Sequence, residues 1–241
     1  MRLPLAGQTV VVIGGSSGIG LETARLARDE GAGVILTGRD STRLSQAAHD
    51  IEATSTSAFD VTDEHALATF FDALPTVDHV MVTAGAPRYV PLLEMSRDQA
   101  LEAVGTAAAN YLSVARCAAP KLNAQGSLIL MGGTGGRRIG AGIGVNAVIT
   151  AELSPLTASL ALELAPIRVN LIAAGFVDTP LSAALLGDQL DERRADLRAR
   201  LPIRRVVEAV DVAALAIHLM TNTALTGATF DIDGGQQFVE P

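Results

Sequence analysis

The sequence predicts an α/β fold, a single-domain, Rossmann-type doubly wound sheet of about seven parallel strands with helices on both faces. Three observations predict it. Short β-branched runs alternate with longer helical patterns from one end of the chain to the other. The 241 residues, 49% of them hydrophobic, can build one large core and call for no second domain. No repeat, low-complexity tract or charged linker divides the chain, so residues 1–241 read as one unit.

Taken in order, the predicted strands are Thr9–Ile13, Gly33–Thr37, Ser57–Phe59, His79–Thr83, Ser127–Met131, Arg168–Ile172 and Thr229–Ile232. Between the first two lies a helix from Leu21 to Glu30, closed by Gly31. Ser41, Asp63 and Ser96 are expected helix caps, the last in a Ser-x-x-Gln capping box with Gln99. Val145, Ile149, Leu153, Leu156, Leu160 and Leu164 form one apolar helical stripe suited to core or subunit interface. Ser154-Pro155 falls inside it, and Ser-Pro is a natural helix start, so a kink or restart there is the competing expectation. Asp188 to Arg200 alternates in sign at helical spacing, which fits a solvated face or a short helical flap over a pocket within 179–200.

The charge balance narrows the partners. A net charge of −8 without a basic stripe argues against nucleic acid and against an anionic membrane. The single cysteine, Cys117, cannot close an internal disulfide, which favours a reducing compartment. The first seven residues, Met1 to Gly7, show no leader pattern, so a cytoplasmic location is expected. The histidines His49, His65, His79 and His218 form no metal spacing.

The most informative segment is Gln8–Gly20. An apolar strand runs into Gly14-Gly15-Ser16-Ser17-Gly18-Ile19-Gly20 and then into a helix. Glycines at Gly-x-x-x-Gly-x-Gly spacing let backbone N–H groups approach a pyrophosphate, and the positive end of the following helix stabilises its charge. This predicts a dinucleotide-binding domain. Ligands in such sheets lie beyond the carboxyl ends of the strands. After the second strand comes Thr37-Gly38-Arg39-Asp40. An acid at that point would hold a ribose 2′-hydroxyl and an arginine a 2′-phosphate. Gly38 leaves the acidic place empty and Arg39 follows, which favours NADP(H) over NAD(H); the competing reading makes Arg39 a surface cation and gives the ribose to Asp40.

With the glycine turn, Thr37-Gly38-Arg39, Asp60-Val61, Ala84-Gly85, Asn110, Arg168-Val169-Asn170 and Asp231-x-Asp233-Gly234-Gly235 in this order, nearly the whole chain resembles the short-chain dehydrogenase/reductase family. The resemblance implies that Asp60 and Val61 bracket the adenine and that Ala84 and Gly85 line the cofactor floor. It also implies that Val177 and Thr179 meet the nicotinamide carboxamide and that the protein is a homodimer or homotetramer. Family chemistry uses a serine, a tyrosine and a lysine together with an asparagine. Aligned on Leu156-Thr157-x-Ser159-Leu160-Ala161 and Arg168-Val169-Asn170, those places fall at Gly133, Asn146, Thr150 and Asn110, so only the asparagine is present.

The departure has chemical weight. In the family's mechanism the lysine lowers the phenol pKa from near 10 and holds the nicotinamide ribose, so the tyrosine exchanges a proton with the substrate oxygen. Asn146 can donate a hydrogen bond and cannot ionise usefully, and Thr150 brings no charge. The expected donors are Asn110, Asn146 and Thr134, whose hydroxyl falls one position after the vacated serine. Tyr89 is a weaker candidate without a neighbouring lysine, and Tyr111 reads as packing. Two function classes follow: an oxidoreductase acting on an activated carbonyl, enone or imine, or a silent nucleotide-binding regulator or inactive subunit. The segment Gly132-Gly133-Thr134-Gly135-Gly136-Arg137-Arg138 offers N–H groups and guanidinium forks to an anionic substrate or effector; alternatively the glycines are conformational and the arginines face solvent or pair with acids such as Asp178.

Overall fold

The computed structural model describes residues 3–138, 140 and 142–239; Met1 and Arg2, the first residues of the segment read for a leader pattern, lie outside them. Seven strands form one parallel sheet: β1 (Thr9–Ile13), β2 (Gly33–Gly38), β3 (Ser55–Ala58), β4 (Val77–Val82), β5 (Leu122–Gly133), β6 (Arg168–Ala174) and, at the far edge, Thr229–Ile232. Two more short strands, β7 (Val177–Asp178) and β8 (Val207–Glu208), pair only with each other, so the edge strand is β9. The spatial order is β3-β2-β1-β4-β5-β6-β9, and the chain reverses direction across the sheet between β1 and β4.

The helices are α1 (Gly18–Asp29), α2 (Ser41–Ile51), α3 (Glu64–Ala73), α4 (Arg97–Ala118), α5 (Gly144–Glu163), α6 (Pro180–Leu186), α7 (Leu190–Arg200) and α8 (Ala209–Thr221). Strand alternation decides the layers. Val10 and Val12 of β1 join a core with residues of α1, α2 and α8, whereas Val11 and Ile13 join a second core with residues of α3, α4 and α5. With both faces covered, the central strands are buried along their length, which is why they read as continuous apolar runs.

Buried polar groups tie the layers together. Arg168 at the start of β6 donates to the carbonyls of Leu219, Met220 and Asn222 at 2.6, 2.8 and 3.2 Å, satisfying the last turn of α8. Asn170 donates to Leu225 O at 2.9 Å and accepts from Ala228 N at 3.3 Å. The Arg-Val-Asn motif therefore fixes the connection into β9. His79 is held between Ser127 Oγ at 2.8 Å and Gln8 Oε1 at 2.7 Å, and burial, then the charge of Arg168, lowers its pKa to about 4.

Several expectations shift. The cap of α2 is Asp40, which accepts from Arg43 N at 3.0 Å, and Ser41 is the first helical residue. Helix α1 begins at Gly18 instead of Leu21, and β3 begins two residues earlier than expected, as a largely exposed edge strand. Strands β5 and β6 continue to Gly133 and Ala174. Asp63 and Ser96 cap α3 and α4 as expected, Ser96 and Gln99 completing the capping box. Pro155 lies inside α5 without ending it, so the helix does not restart at Ser154. Val145, Leu153 and Leu160 of its stripe are core, and the face left uncovered carries Val148 and Leu162, the latter 83% exposed. By length and hydropathy alone α5 could cross a membrane; here it is the crossover between β5 and β6, packed on the sheet.

Candidate active site

The glycine turn is shaped by contacts that leave no room for a Cβ. Gly14 has φ +96°, and a Cβ on it would lie 2.7 Å from Ala84 N. A Cβ on Gly20 would lie 2.3 Å from Gly14 O and 2.6 Å from Thr83 Oγ1. Thr83 pins the same place by donating toward Gly14 O at 3.0 Å, a role the sequence did not suggest. The N–H groups of Gly14 and Gly15 are taken by Thr37 O at 3.1 and 2.9 Å. Those of Gly18, Ile19 and Gly20 open α1 and have no intrahelical acceptor, and the Ser17 side chain does not cap them. Helices α2, α3 and α4 are capped by side chains, whereas α1, like α5 and α7, has no side-chain cap; in α1 the bare donors follow the glycine turn, which fits a pyrophosphate.

At the end of β2, Ser16 comes within 3.4 Å of where a Gly38 Cβ would stand. Arg39 is 80% exposed and lies 3.7 Å from Asp60. Asp60 accepts from Thr62 N at 3.0 Å and Thr62 Oγ1 at 2.8 Å, and those bonds, then Arg39, hold its carboxyl below the usual range. Val61 packs on the second core. Asp40 is engaged in capping α2 and in an ion pair with Arg43 at 3.3 Å.

At the opposite end, β4 delivers Ala84 and an exposed Gly85, and β7 delivers buried Val177. Thr179 caps α6, and its Cβ and Cγ2 lie 3.5 Å from where a Gly18 Cβ would be. Asn110 is half-buried on α4, and its neighbour Tyr111 is packed with its hydroxyl donating to Met131 O. Burial raises the Tyr111 pKa further above the phenol range. The 3-10 turn Thr134–Arg137 follows β5, with Thr134 only 4% exposed.

Helix α5 answers the alignment. A Cβ on Gly133 would meet Thr150 Cγ2 at 3.3 Å, and one on Gly135 would meet Thr150 Oγ1 at 3.1 Å and Asn146 Nδ2 at 3.2 Å. Asn146 and Thr150, one turn apart, thus share the face turned to the end of β5. The Thr150 hydroxyl donates back to Asn146 O at 2.9 Å. The chain's one lysine, Lys121, precedes the first residue of β5 and donates to Asp72 O and Leu74 O at 3.0 and 2.9 Å, at the other end of the strand. Composition alone could have revealed that.

The two arginines of the loop separate. Arg137 pairs with Asp231 and donates to Gln237 Oε1 at 3.1 Å, so it is a strut to the C-terminal segment. Asp178, a proposed partner for these arginines, instead takes Arg194 in a fork with two 2.8 Å bonds. Among the described residues no cluster of His, Cys, Asp and Glu could hold a metal ion. A groove of about 660 Å³ lies between α1 and α2, lined by Arg25, Arg28 and His49, away from the carboxyl ends of the strands.

Comparison with known proteins bears on the family and the fold. Residues 13–237 match the family model described as enoyl-(acyl carrier protein) reductase. A short-chain dehydrogenase/reductase of Stachybotrys chlorohalonatus is 30% identical over 96% of this chain and 97% of its own. A small-chain dehydrogenase solved in complex with NADPH is 29% identical, with a TM-score of 0.81 over 96% of this chain and 99% of its own. The reductase/Diels-Alderase MalC from Malbranchea aurantiaca shares the fold at a TM-score of 0.91 and 23% identity, covering 98% of this chain and 99% of that one.

Proposed function

The chain belongs to the short-chain dehydrogenase/reductase family and is an oxidoreductase of that type, and from this premise we propose that it binds NADP(H) and reduces activated substrates without a tyrosine–lysine pair. The bare N-terminus of α1 and the glycine turn would hold the pyrophosphate, through Gly14, Ser16, Ser17, Gly18, Ile19 and Gly20. Arg39 would hold the 2′-phosphate. Asp60 and Val61 would bracket the adenine, Ala84 and Gly85 would line the floor, and Val177 and Thr179 would meet the carboxamide. When bound, the cofactor supplies the hydride.

The observation that carries the reading is the place of Lys121. It is bound to two carbonyls at the start of β5, whereas Asn146 and Thr150 face the end of that strand. No ammonium is available there to lower a phenol pKa or clamp a ribose, and Asn146 is in the tyrosine's aligned place. An amide donates a hydrogen bond without giving up its proton. Asn110, Asn146 and Thr134 therefore polarise an oxygen or nitrogen on the substrate and leave protonation to solvent. A positioned general acid is worth roughly 10²–10⁴ in rate. Simple ketones forfeit that factor; a polarised enone or an imine depends on it less.

Following NADPH absorbance across simple ketones, activated carbonyls, enones and imines tests this. Turnover is expected on the activated classes and to fall when Asn110 or Asn146 is replaced. Fast reduction of simple ketones, indifferent to Asn110, Thr134 and Asn146, would place the chemistry elsewhere. Binding of NADPH with no turnover on any class would leave a silent nucleotide-binding subunit. We further propose a homodimer or homotetramer through the uncovered faces of α4 and α5, where Leu101, Leu112, Val148 and Leu162 are exposed.

A further inference from the structure

Beyond the carboxyl ends of β4, β5 and β6, three separate connections bring charge to one place. Arg138 follows the 3-10 turn after β5 and is half-buried, its Nε without a hydrogen-bond partner among the described residues. The charges of Arg193 and Arg200 on α7 act on it, and its own charge acts on Tyr89 in the loop after β4. Two acids, Asp196 and Asp233, offset that charge in part. Both are already engaged. Asp196 accepts from Arg193 at 2.8 Å and pairs with Arg200 at 3.4 Å, and Asp233 accepts from Gly235 N at 2.8 Å and Gln237 N at 2.9 Å.

A half-buried guanidinium whose Nε has no partner among the described residues is a costly arrangement. Burial first, then Arg193 and Arg200, disfavours the charged form of Arg138. Two neighbours show the contrast. Arg137 has Asp231 and Gln237, and Arg194 has Asp178 and Asp191, so arginines that serve as struts here have dedicated partners. Among the described residues Arg138 has no such partner, and it is one residue beyond the turn that Asn146 and Thr150 face.

We propose that Arg138, backed by Arg193, is an anion site that receives a carboxylate of the substrate, so that the substrates of this oxidoreductase are anionic unsaturated or oxo acids. The proposal rests on the oxidoreductase reading for its function but not for its binding. A planar fork suits a carboxylate, and the half-buried setting strengthens the pair. Arg193 on α7 makes the site one that the helical segment after β7 completes. Tyr89 adds a hydroxyl at the same rim and remains a neutral donor, because burial raises its pKa.

Succinate is the probe, titrated calorimetrically into the full chain with and without saturating NADPH. Binding in both conditions is expected, weakened at least tenfold in Arg138→Ala, partly restored in Arg138→Lys and unchanged within threefold in Arg39→Ala. Dimethyl succinate should not bind. The melting temperature of each variant confirms that it folds, and Arg193→Ala gives a second route should Arg138→Ala fail to do so. Succinate binding that ignores both Arg138 and Arg193, or no succinate binding at all, overturns the anion site. Loss of NADPH binding with succinate binding intact overturns the cofactor reading and leaves the anion site standing.

Discussion

Restoring the family's catalytic set in one protein, Gly133→Ser with Asn146→Tyr and Thr150→Lys, should raise simple-ketone turnover by about 10²–10⁴, the usual value of a positioned acid. That range corresponds to about 3–5 kcal/mol of transition-state stabilisation. The geometry sets conditions on the outcome. A Cβ at Gly133 falls 3.3 Å from Thr150 Cγ2 and 3.4 Å from Ala174 O, so Gly133→Ser alone is crowded and should cost about 1 kcal/mol in denaturant unfolding. Thr150→Lys removes the branched methyl and should return most of that loss, making the two changes non-additive. The new tyrosine and lysine would keep the one-turn spacing with which Asn146 and Thr150 now reach Gly135, because α5 runs unbroken past Pro155. The assay is NADPH oxidation with a simple ketone across pH. A phenol beside an ammonium titrates below about 10, and reduction needs it protonated, so the added rate should fall as pH rises through that value. A folded triple variant that binds NADPH and shows neither gain nor pH limb would refute both the alignment and the missing-acid explanation.

Other consequences are quicker to test. Arg39→Ala should weaken NADPH by roughly fivefold to tenfold and leave NADH unchanged, since the exposed guanidinium is screened by water; calorimetry with both cofactors decides it, and equal affinities in the parent protein would already contradict it. Gly20→Ala should abolish NADPH binding and cost about 1–3 kcal/mol, because its Cβ would meet, besides Thr83 Oγ1, the backbone at Gly14 O, which cannot rotate away. His79 has its pKa lowered to about 4 in the fold against 6.5 outside it, so its contribution is full above pH 6.5 and is lost as pH falls toward 4. The loss approaches about 3 kcal/mol, and His79→Gln should flatten that part of the stability–pH curve relative to the parent; parallel curves would count against it. Light scattering at dilute concentration should give at least twice the 24.9 kDa chain mass, and Leu162→Arg, on an 83% exposed position, should shift it toward the monomer.

Where one physical cause dominated, the sequence was legible. Strands β1 and β9 fall on their expected residues because a strand buried on both faces leaves an uninterrupted apolar signature, or because a short β-branched run ends at a glycine turn. The edge strand β3, Ser55-Thr56-Ser57-Ala58, is mostly exposed and carries no such signature, so its bounds slipped. The first half of β5, where Asn123, Ala124 and Gln125 are exposed, was hidden for the same reason. Ser41 and Asp40 both suit a cap, and only the bond from Arg43 N to Asp40 decides between them.

The site divides along the same line. Residues linked by local geometry, the glycine turn or Asn146 with Thr150 at one-turn spacing, could be placed from spacing alone, and their shared face is set by the helix period. Residues brought together by topology could not. Arg137 and Arg138 are adjacent in sequence and chemically identical, yet Asp231 and Gln237, about 100 residues away, claim the first. The second has no such claim on it among the described residues, and the charges of Arg193 and Arg200, more than 50 residues away on α7, act on it. Chemistry in this fold depends on which connections meet beyond the sheet, and a parallel sheet with crossover helices brings together residues remote in sequence. A charge pattern that looked like a solvated face in Asp188 to Arg200 therefore contains struts, Arg194 to Asp178 and Arg193 to Asp196, and charges that act on Arg138. If Arg193 were only a strut, its replacement would change stability and leave succinate affinity untouched, so the same variant separates a structural from a recognition role.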